Sequence, residues 1–153
     1  MNINMWQRIQ TVFLGIAAIG LLAALVLPLW EARVGAEKIV LTPFYLLQNN
    51  EYAYYPYSLT ALLTVAGLTL VILTLRRYDN RMLQMKLGLF NTIVLTGVMI
   101  CIVVFVLQLN KQFPLAQNGL GLYFVFAAVV CNWLAVRFIR KDEKLVRDSD
   151  RIR

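Results

Sequence analysis

Histidine is absent from this chain of 153 residues, and cysteine occurs only twice. The missing imidazole removes the side chain that most often serves as a general acid or base and as a zinc ligand. The sequence also lacks a G-x-S-x-G motif, a phosphate-binding glycine loop and a cysteine pair at metal-binding spacing. Cys101 and Cys131 fall at different depths of long apolar segments, which favours packing over a disulfide. We therefore expect a protein that is not an enzyme and uses no cofactor or metal.

Charged residues are also scarce, at 15% of the chain, whereas 60% of the residues are hydrophobic and the mean hydropathy is +0.67. Soluble domains contain about 45–50% apolar residues, because a small core cannot hide more. The apolar residues form four blocks, each long enough at about 1.5 Å per residue to span roughly 30 Å of hydrocarbon. The blocks cover residues 11–30, 57–75, 87–109 and 119–138, and within them only Arg137 is charged. This pattern predicts four transmembrane helices.

The first block has a second interpretation as a cleaved secretory signal, since Arg8 precedes it and small residues follow it at positions 34–36. A signal core usually contains about 7–15 apolar residues. This block is longer and ends in Pro28, Leu29 and Trp30, which is typical of an anchor at the membrane surface. We expect an uncleaved helix.

Basic residues are distributed unequally between the two ends of the predicted helices. Twelve of the 15 lysines and arginines precede helix 1, separate helices 2 and 3, or follow residue 136, and the formal charge of +7 falls on that side. Positive charge marks the cytoplasmic side. We therefore expect a bacterial inner-membrane protein with both termini in the cytoplasm, a periplasmic loop over residues 31–56, and a cytoplasmic loop and tail over 76–86 and 139–153. The same asymmetry accounts for the pI near 9.7 without nucleic-acid binding.

The periplasmic loop is the longest connection. Its residues 31–34 and 37–41 predict a short β-hairpin around Gly35 and Ala36, and residues 44–47 after Pro43 predict a helical turn at the interface. A tyrosine cluster follows, and it has two interpretations: an aromatic belt at the level of the lipid headgroups, or a recognition surface for a periplasmic partner or a sugar. The sequence favours the belt and leaves both open. The cluster consists of Tyr52, Tyr54, Tyr55 and Tyr57.

Asn91 and Asn132 are amides inside helices 3 and 4, at depths that agree to within roughly 3 Å. An unbonded amide in hydrocarbon is costly, so we expect an interhelical contact between them. Small residues recur at helical spacing in every helix, for example Gly67 and Gly88, which predicts a closely packed four-helix bundle. The seam among helices 2, 3 and 4 is also where a lipid or small-molecule site would lie.

The cytoplasmic tail contains neither proline nor glycine, which predicts that it continues helix 4. It also carries the most specific motif of the chain, K-D-E-K-L-V-R-D-S-D-R-I-R, which ends at Arg153. Together with M-W-Q-R-I-Q-T from Met5, and with Asn80, Arg81, Leu83, Gln84 and Asn91 in the middle, this motif resembles a bacterial membrane protein family known as domain of unknown function 4293, typical of Bacteroidota. The resemblance covers essentially the whole chain. It implies four helices and an inner-membrane location, and it carries over no catalytic or binding residues.

These observations predict an all-α fold: a polytopic four-helix bundle with a short β-hairpin in the first periplasmic loop. We expect a non-enzymatic accessory or scaffold protein whose basic cytoplasmic face docks a protein partner or anionic lipid, surrounded by membrane lipids. The alternative is a lipid or small-molecule binding or transport protein that uses the seam among helices 2, 3 and 4. The candidate contacts on the basic face are Arg76, Arg77, Arg81, Lys86, Arg140, Lys141, Lys144, Arg147 and Arg151.

Overall fold

The computed structural model describes residues 3–35, 37–77 and 80–150, and the side chains within 9–35, 37–77 and 80–145. Four helices alternate in direction around a bundle, and short strands join them at one end. The predicted all-α bundle with a short hairpin is confirmed. The helices are α1 (Ile3–Val26), α2 (Ser58–Arg76), α3 (Arg81–Gln112) and α4 (Leu120–Asp150), and the strands are β1 (Trp30–Val34), β2 (Glu37–Leu41), β3 (Leu46–Gln48), β4 (Glu51–Ala53) and β5 (Gln117–Asn118).

The surface of the helices is strongly apolar. Each helix contains a stretch long and apolar enough to cross a membrane, and only 28–33% of those residues are buried inside the bundle. Large side chains such as Ile19, Leu62 and Ile93 are therefore exposed. Soluble monomers rarely expose continuous apolar surface on this scale, whereas lipid accommodates it. The architecture is that of a multi-pass membrane protein.

All five strands form one antiparallel sheet in the order β4-β3-β2-β1-β5. The predicted hairpin is present: Trp30 lies opposite Leu41 and Val34 opposite Glu37. The segment after Pro43 differs from the prediction, because it pairs with β2 as strand β3 and forms no helical turn. We call this end of the bundle the sheet end, and we call the opposite end, which contains the start of α1, residues 76–86 and the last turns of α4, the terminal end.

Trp30 corrects the predicted boundary of the first span. Helix α1 ends at Val26, because Pro28 lacks an amide hydrogen and disfavours helical geometry in the residue before it. Trp30 therefore opens β1, and its side chain is enclosed by protein and not exposed to lipid. Its side chain is completely buried, and its Nε1 donates a hydrogen bond to Asn110 Oδ1 at 2.7 Å. The indole joins the sheet to the end of α3.

At the terminal end, the first residue of α3 also differs from the prediction. Helix α3 begins at Arg81 and not at residue 87, because the side chain of Asn80 caps it by accepting a hydrogen bond from the Leu83 amide at 3.0 Å. Arg81 and Lys86 therefore lie on a helix and not in a loop. Helix α4 continues to Asp150, as the absence of proline and glycine predicts.

The start of α4 is held tightly against the end of α1. The amide of Gly121 donates to the carbonyl of Pro28 at 2.9 Å, and the amide of Gly119 donates to that of Leu29 at 2.9 Å. A Cβ atom on Gly121 would lie only 2.7 Å from the carbonyl oxygen of Leu27. Glycine is required there because the neighbouring atoms are backbone and have little freedom to move.

We expect Gly121→Ala to lower the free energy of unfolding by about 1–3 kcal/mol, because the added methyl group would push α4 away from Pro28. Gly97→Ala is the matched control, since a Cβ atom there meets nothing within 4 Å. The control should be neutral or slightly stabilising. Thermal unfolding in mild detergent measures both variants, and equal midpoints would contradict the role of this contact.

Candidate functional site

Asn91 and Asn132 meet in the interior of the bundle. Asn91 Nδ2 donates to Asn132 Oδ1 at 2.9 Å, and both residues are completely buried. This is the contact that their matched depth predicts. Asn132 Nδ2 in turn donates to Thr92 Oγ1 at 3.0 Å and to the Gly88 carbonyl at 3.3 Å. We call these four residues the amide cluster; it joins α3 to α4 without any ionisable group.

Helix α2 packs against the amide cluster at Gly67. A Cβ atom on Gly67 would lie 2.7 Å from Leu95 Cδ2 and 3.4 Å from Asn91 Oδ1. Asn91 Oδ1 therefore faces the backbone of α2, and it accepts no hydrogen bond from any described group. At this depth Leu95 and Asn91 of α3 contact the backbone of α2.

An ion pair lies between α3 and α4 at the terminal end. Arg81 Nη1 lies 3.1 Å from Asp142 Oδ2, and the side chain of Asp142 is only 5% exposed. Arg81 Nη1 is itself buried. It lies at ion-pair distance from the carboxylate, but its N–H groups are not aligned for a hydrogen bond with a described group. The sequence predicts Arg81 as a contact for a partner, whereas in the structure its guanidinium is already paired with a carboxylate of its own chain.

Two glutamines are buried in the same region. Gln84 Nε2 donates to the Thr74 carbonyl at 3.3 Å, which joins α3 to the last turns of α2. Gln10 is 4% exposed, and its Nε2 has no hydrogen-bond partner among the described residues. Buried polar side chains therefore accompany buried apolar ones such as Val136 and Ile139 toward the terminal end.

The other predicted basic contacts form a discontinuous rim around the terminal end. They come from the end of α2, the second turn of α3 and the last described turns of α4, and they are exposed to solvent: Arg76, Arg77, Lys86, Arg140, Lys141 and Lys144. Arg151 and the side chain of Arg147 lie outside the described residues. The structure thus places the rim on three helices, with Arg81 beside it in the ion pair and partly exposed.

Sequence reasoning missed Asp142 as the partner of Arg81, although a signal was present. Arg81 precedes Asn91 by ten residues, and Asp142 follows Asn132 by ten. In antiparallel helices with the two asparagines opposite each other, these offsets place the charges opposite each other as well. A second missed contact is the guanidinium of Arg137, which lies 5.5 Å from the centre of the Trp133 ring one turn earlier in α4.

At the sheet end, the structure brings three tyrosines together. The ring of Tyr45 meets those of Tyr52 and Tyr54 edge-on, with centroids 5.0 and 5.9 Å apart. Tyr55 is 90% exposed, whereas Tyr57 packs against Phe105 in the core. Tyr57 therefore does not belong to the group of exposed tyrosines, although the sequence predicts it as a member of the cluster. The remaining exposed rings suit either the interfacial belt or the recognition surface.

The family model for Domain of unknown function (DUF4293) matches residues 6–152. The chain belongs to this family. A comparison with curated proteins finds no match. The matched range of the DUF4293 model includes the amide cluster, the Arg81–Asp142 ion pair and the whole sheet, so these features fall inside the family domain.

We expect Asn132→Leu to destabilise the bundle more than Asn91→Leu, because among the described groups Asn132 takes part in three side-chain hydrogen bonds and Asn91 in one. The losses should be about 2 and about 1 kcal/mol, and neither variant should unfold the protein. Thr96→Val is the control, since this exposed hydroxyl bonds only the Thr92 carbonyl of its own helix. Thermal stability in detergent is the measurement; equal effects of all three variants would be evidence against the amide cluster as an interhelical contact.

Proposed function

We propose that this chain is a non-enzymatic accessory or scaffold protein of the bacterial inner membrane whose basic terminal end docks an acidic protein partner or anionic lipid. One observation carries the proposal: at the terminal end the described side chains include eight basic groups but only two acidic ones. Asp142 is one of the two acids, and Arg81 holds it in the interior. The surface therefore has little negative charge to offset its cations.

This imbalance favours an anionic partner on physical grounds. Exposed cations attract a negatively charged surface over a distance of roughly 8 Å at physiological salt. Near a bilayer, each lysine or arginine contributes about 1 kcal/mol of attraction to anionic lipid. A basic rim also directs membrane insertion, so the docking experiment must compare variants that insert in the same orientation.

A second candidate function is binding or transport of a lipid or small molecule along the seam of α2, α3 and α4. It is favoured by Asn91 Oδ1, a buried acceptor without a hydrogen-bond partner among the described groups. A ligand with a hydrogen-bond donor would satisfy that atom. The mutual bond and complete burial of the two asparagines count against an accessible ligand site there.

The proposed orientation predicts where reporter proteins will be found. A reporter fused after Arg153 should be cytoplasmic, and one inserted between Asn49 and Asn50 should be periplasmic. That insertion point is suitable because both residues are exposed and have positive φ angles in the turn between β3 and β4. Alkaline phosphatase and fluorescent-protein fusions report the two sides, and a periplasmic C-terminus would overturn the orientation.

Copurification from mild detergent tests docking. We expect the full chain to retain a stoichiometric acidic protein or anionic lipid, and the double variant Arg137→Gln with Arg140→Gln to lose most of it. The matched control removes two charges from the sheet end, Arg33→Gln with Lys111→Gln, and should retain it. A retained solute that is lost in Asn91→Leu and kept in the arginine variant would favour the seam function.

A further inference from the structure

Four exposed side chains form one line along α4: Trp133, Arg137, Arg140 and Lys144. Their spacings of four, three and four residues place them on a single helix face. The adjoining positions Asn132, Val136 and Ile139 are buried, so the line points away from the bundle. We call these four residues the α4 stripe.

The stripe continues the lipid-facing surface of α4 without a break. Phe126 and Val130, which lie seven and three residues before Trp133, are exposed on the same face. The order along this face is therefore apolar side chains, then an indole that is 50% exposed, then three cations over the next roughly 16 Å. The layers of a lipid leaflet, from hydrocarbon through the interface to the headgroups, follow the same order. Tryptophan is favoured at the interface.

The cations of the stripe are not neutralised by the described part of the chain. Asp142 belongs to the buried pair with Arg81. Among the described side chains, no carboxylate forms an ion pair with Arg137, Arg140 or Lys144. The guanidinium of Arg137 lies 5.5 Å from the centre of the Trp133 ring. Since a cation–π contact does not require its N–H donors, these can serve an external acceptor.

We propose that the α4 stripe binds the headgroup phosphates of anionic phospholipids in the leaflet at the terminal end. Arginine donates two parallel hydrogen bonds to a phosphate, and lysine adds a point charge. The continuity of the stripe with the lipid-facing surface selects lipid over an acidic protein as its partner. This inference rests on the proposed docking function and assigns it a surface and a ligand.

Fluorescence of the full chain in vesicles tests the stripe. The vesicles are phosphatidylcholine with an equal fraction of either brominated phosphatidylglycerol or brominated phosphatidylcholine, because bromine quenches a nearby indole. The signal of Trp133 is obtained as the difference between the parent chain and Trp133→Phe. We expect stronger quenching by the brominated phosphatidylglycerol, with a preference that falls as salt is raised.

The triple variant Arg137→Gln, Arg140→Gln, Lys144→Gln should reduce that preference by up to roughly one-hundredfold, since each of the three cations contributes about fivefold. The matched control removes three cations from α2 and α3 at the same end: Arg76→Gln, Arg77→Gln, Lys86→Gln. It should keep most of the preference. Reporter fusions and detergent melting curves establish that both variants insert and fold.

Three outcomes would overturn the stripe as a lipid site. Equal quenching of the parent chain by the two brominated lipids shows no preference. An equal loss in the stripe variant and its control assigns the preference to the whole basic end, in which case the docking function stands and the stripe fails. An unchanged lipid preference in the stripe variant, together with loss of a copurified acidic protein, makes the stripe a protein-docking surface.

Discussion

Close approach of helix backbones is the constraint on which this structure depends. In lipid, apolar side chains gain little by leaving the solvent, so helices associate through tight packing and internal hydrogen bonds. A Cβ atom on Gly20 would lie 3.2 Å from the carbonyl of Phe124, and one on Gly88 would lie 2.7 Å from Val136 Cγ2. Thr64 bonds the carbonyl of Thr60 in its own helix and so remains compatible with an apolar neighbour. The side chains of Asn91 and Asn132 can meet because small residues such as Gly88 let α3 and α4 approach closely.

The same packing fixes the register of α3 against α4. Arg81 with Asp142 and Asn91 with Asn132 are two contacts about 15 Å apart that demand one alignment. A slip of one turn would separate both pairs and leave buried polar groups without partners, which is costly in a medium that supplies no replacement. The close approach of Gly88 to Val136, which lies between the two pairs, requires the same alignment. Polar contacts and close packing therefore specify one register together.

Features that depend on local composition were predictable from the sequence. The four helices follow from long apolar blocks, the hairpin from the residues around Gly35, and the Asn91–Asn132 contact from matched depth. Features that depend on contacts between residues far apart in the sequence were not predictable. Trp30 resembles an interfacial anchor until Asn110, 80 residues away, is known to accept its N–H. Hydropathy also detects only the part of a helix within hydrocarbon, so the first turns of α3 escaped detection.

Helix α4 is continuous from Leu120 to Asp150, and its residues after Asp142 extend beyond the first residue of α3. This extension has eight residues and a length of about 12 Å. From Asn132 to Asp150 the helix contains neither proline nor glycine, the residues that most often kink a helix. A partner that displaced the extension would therefore also strain the Arg81–Asp142 pair at its base.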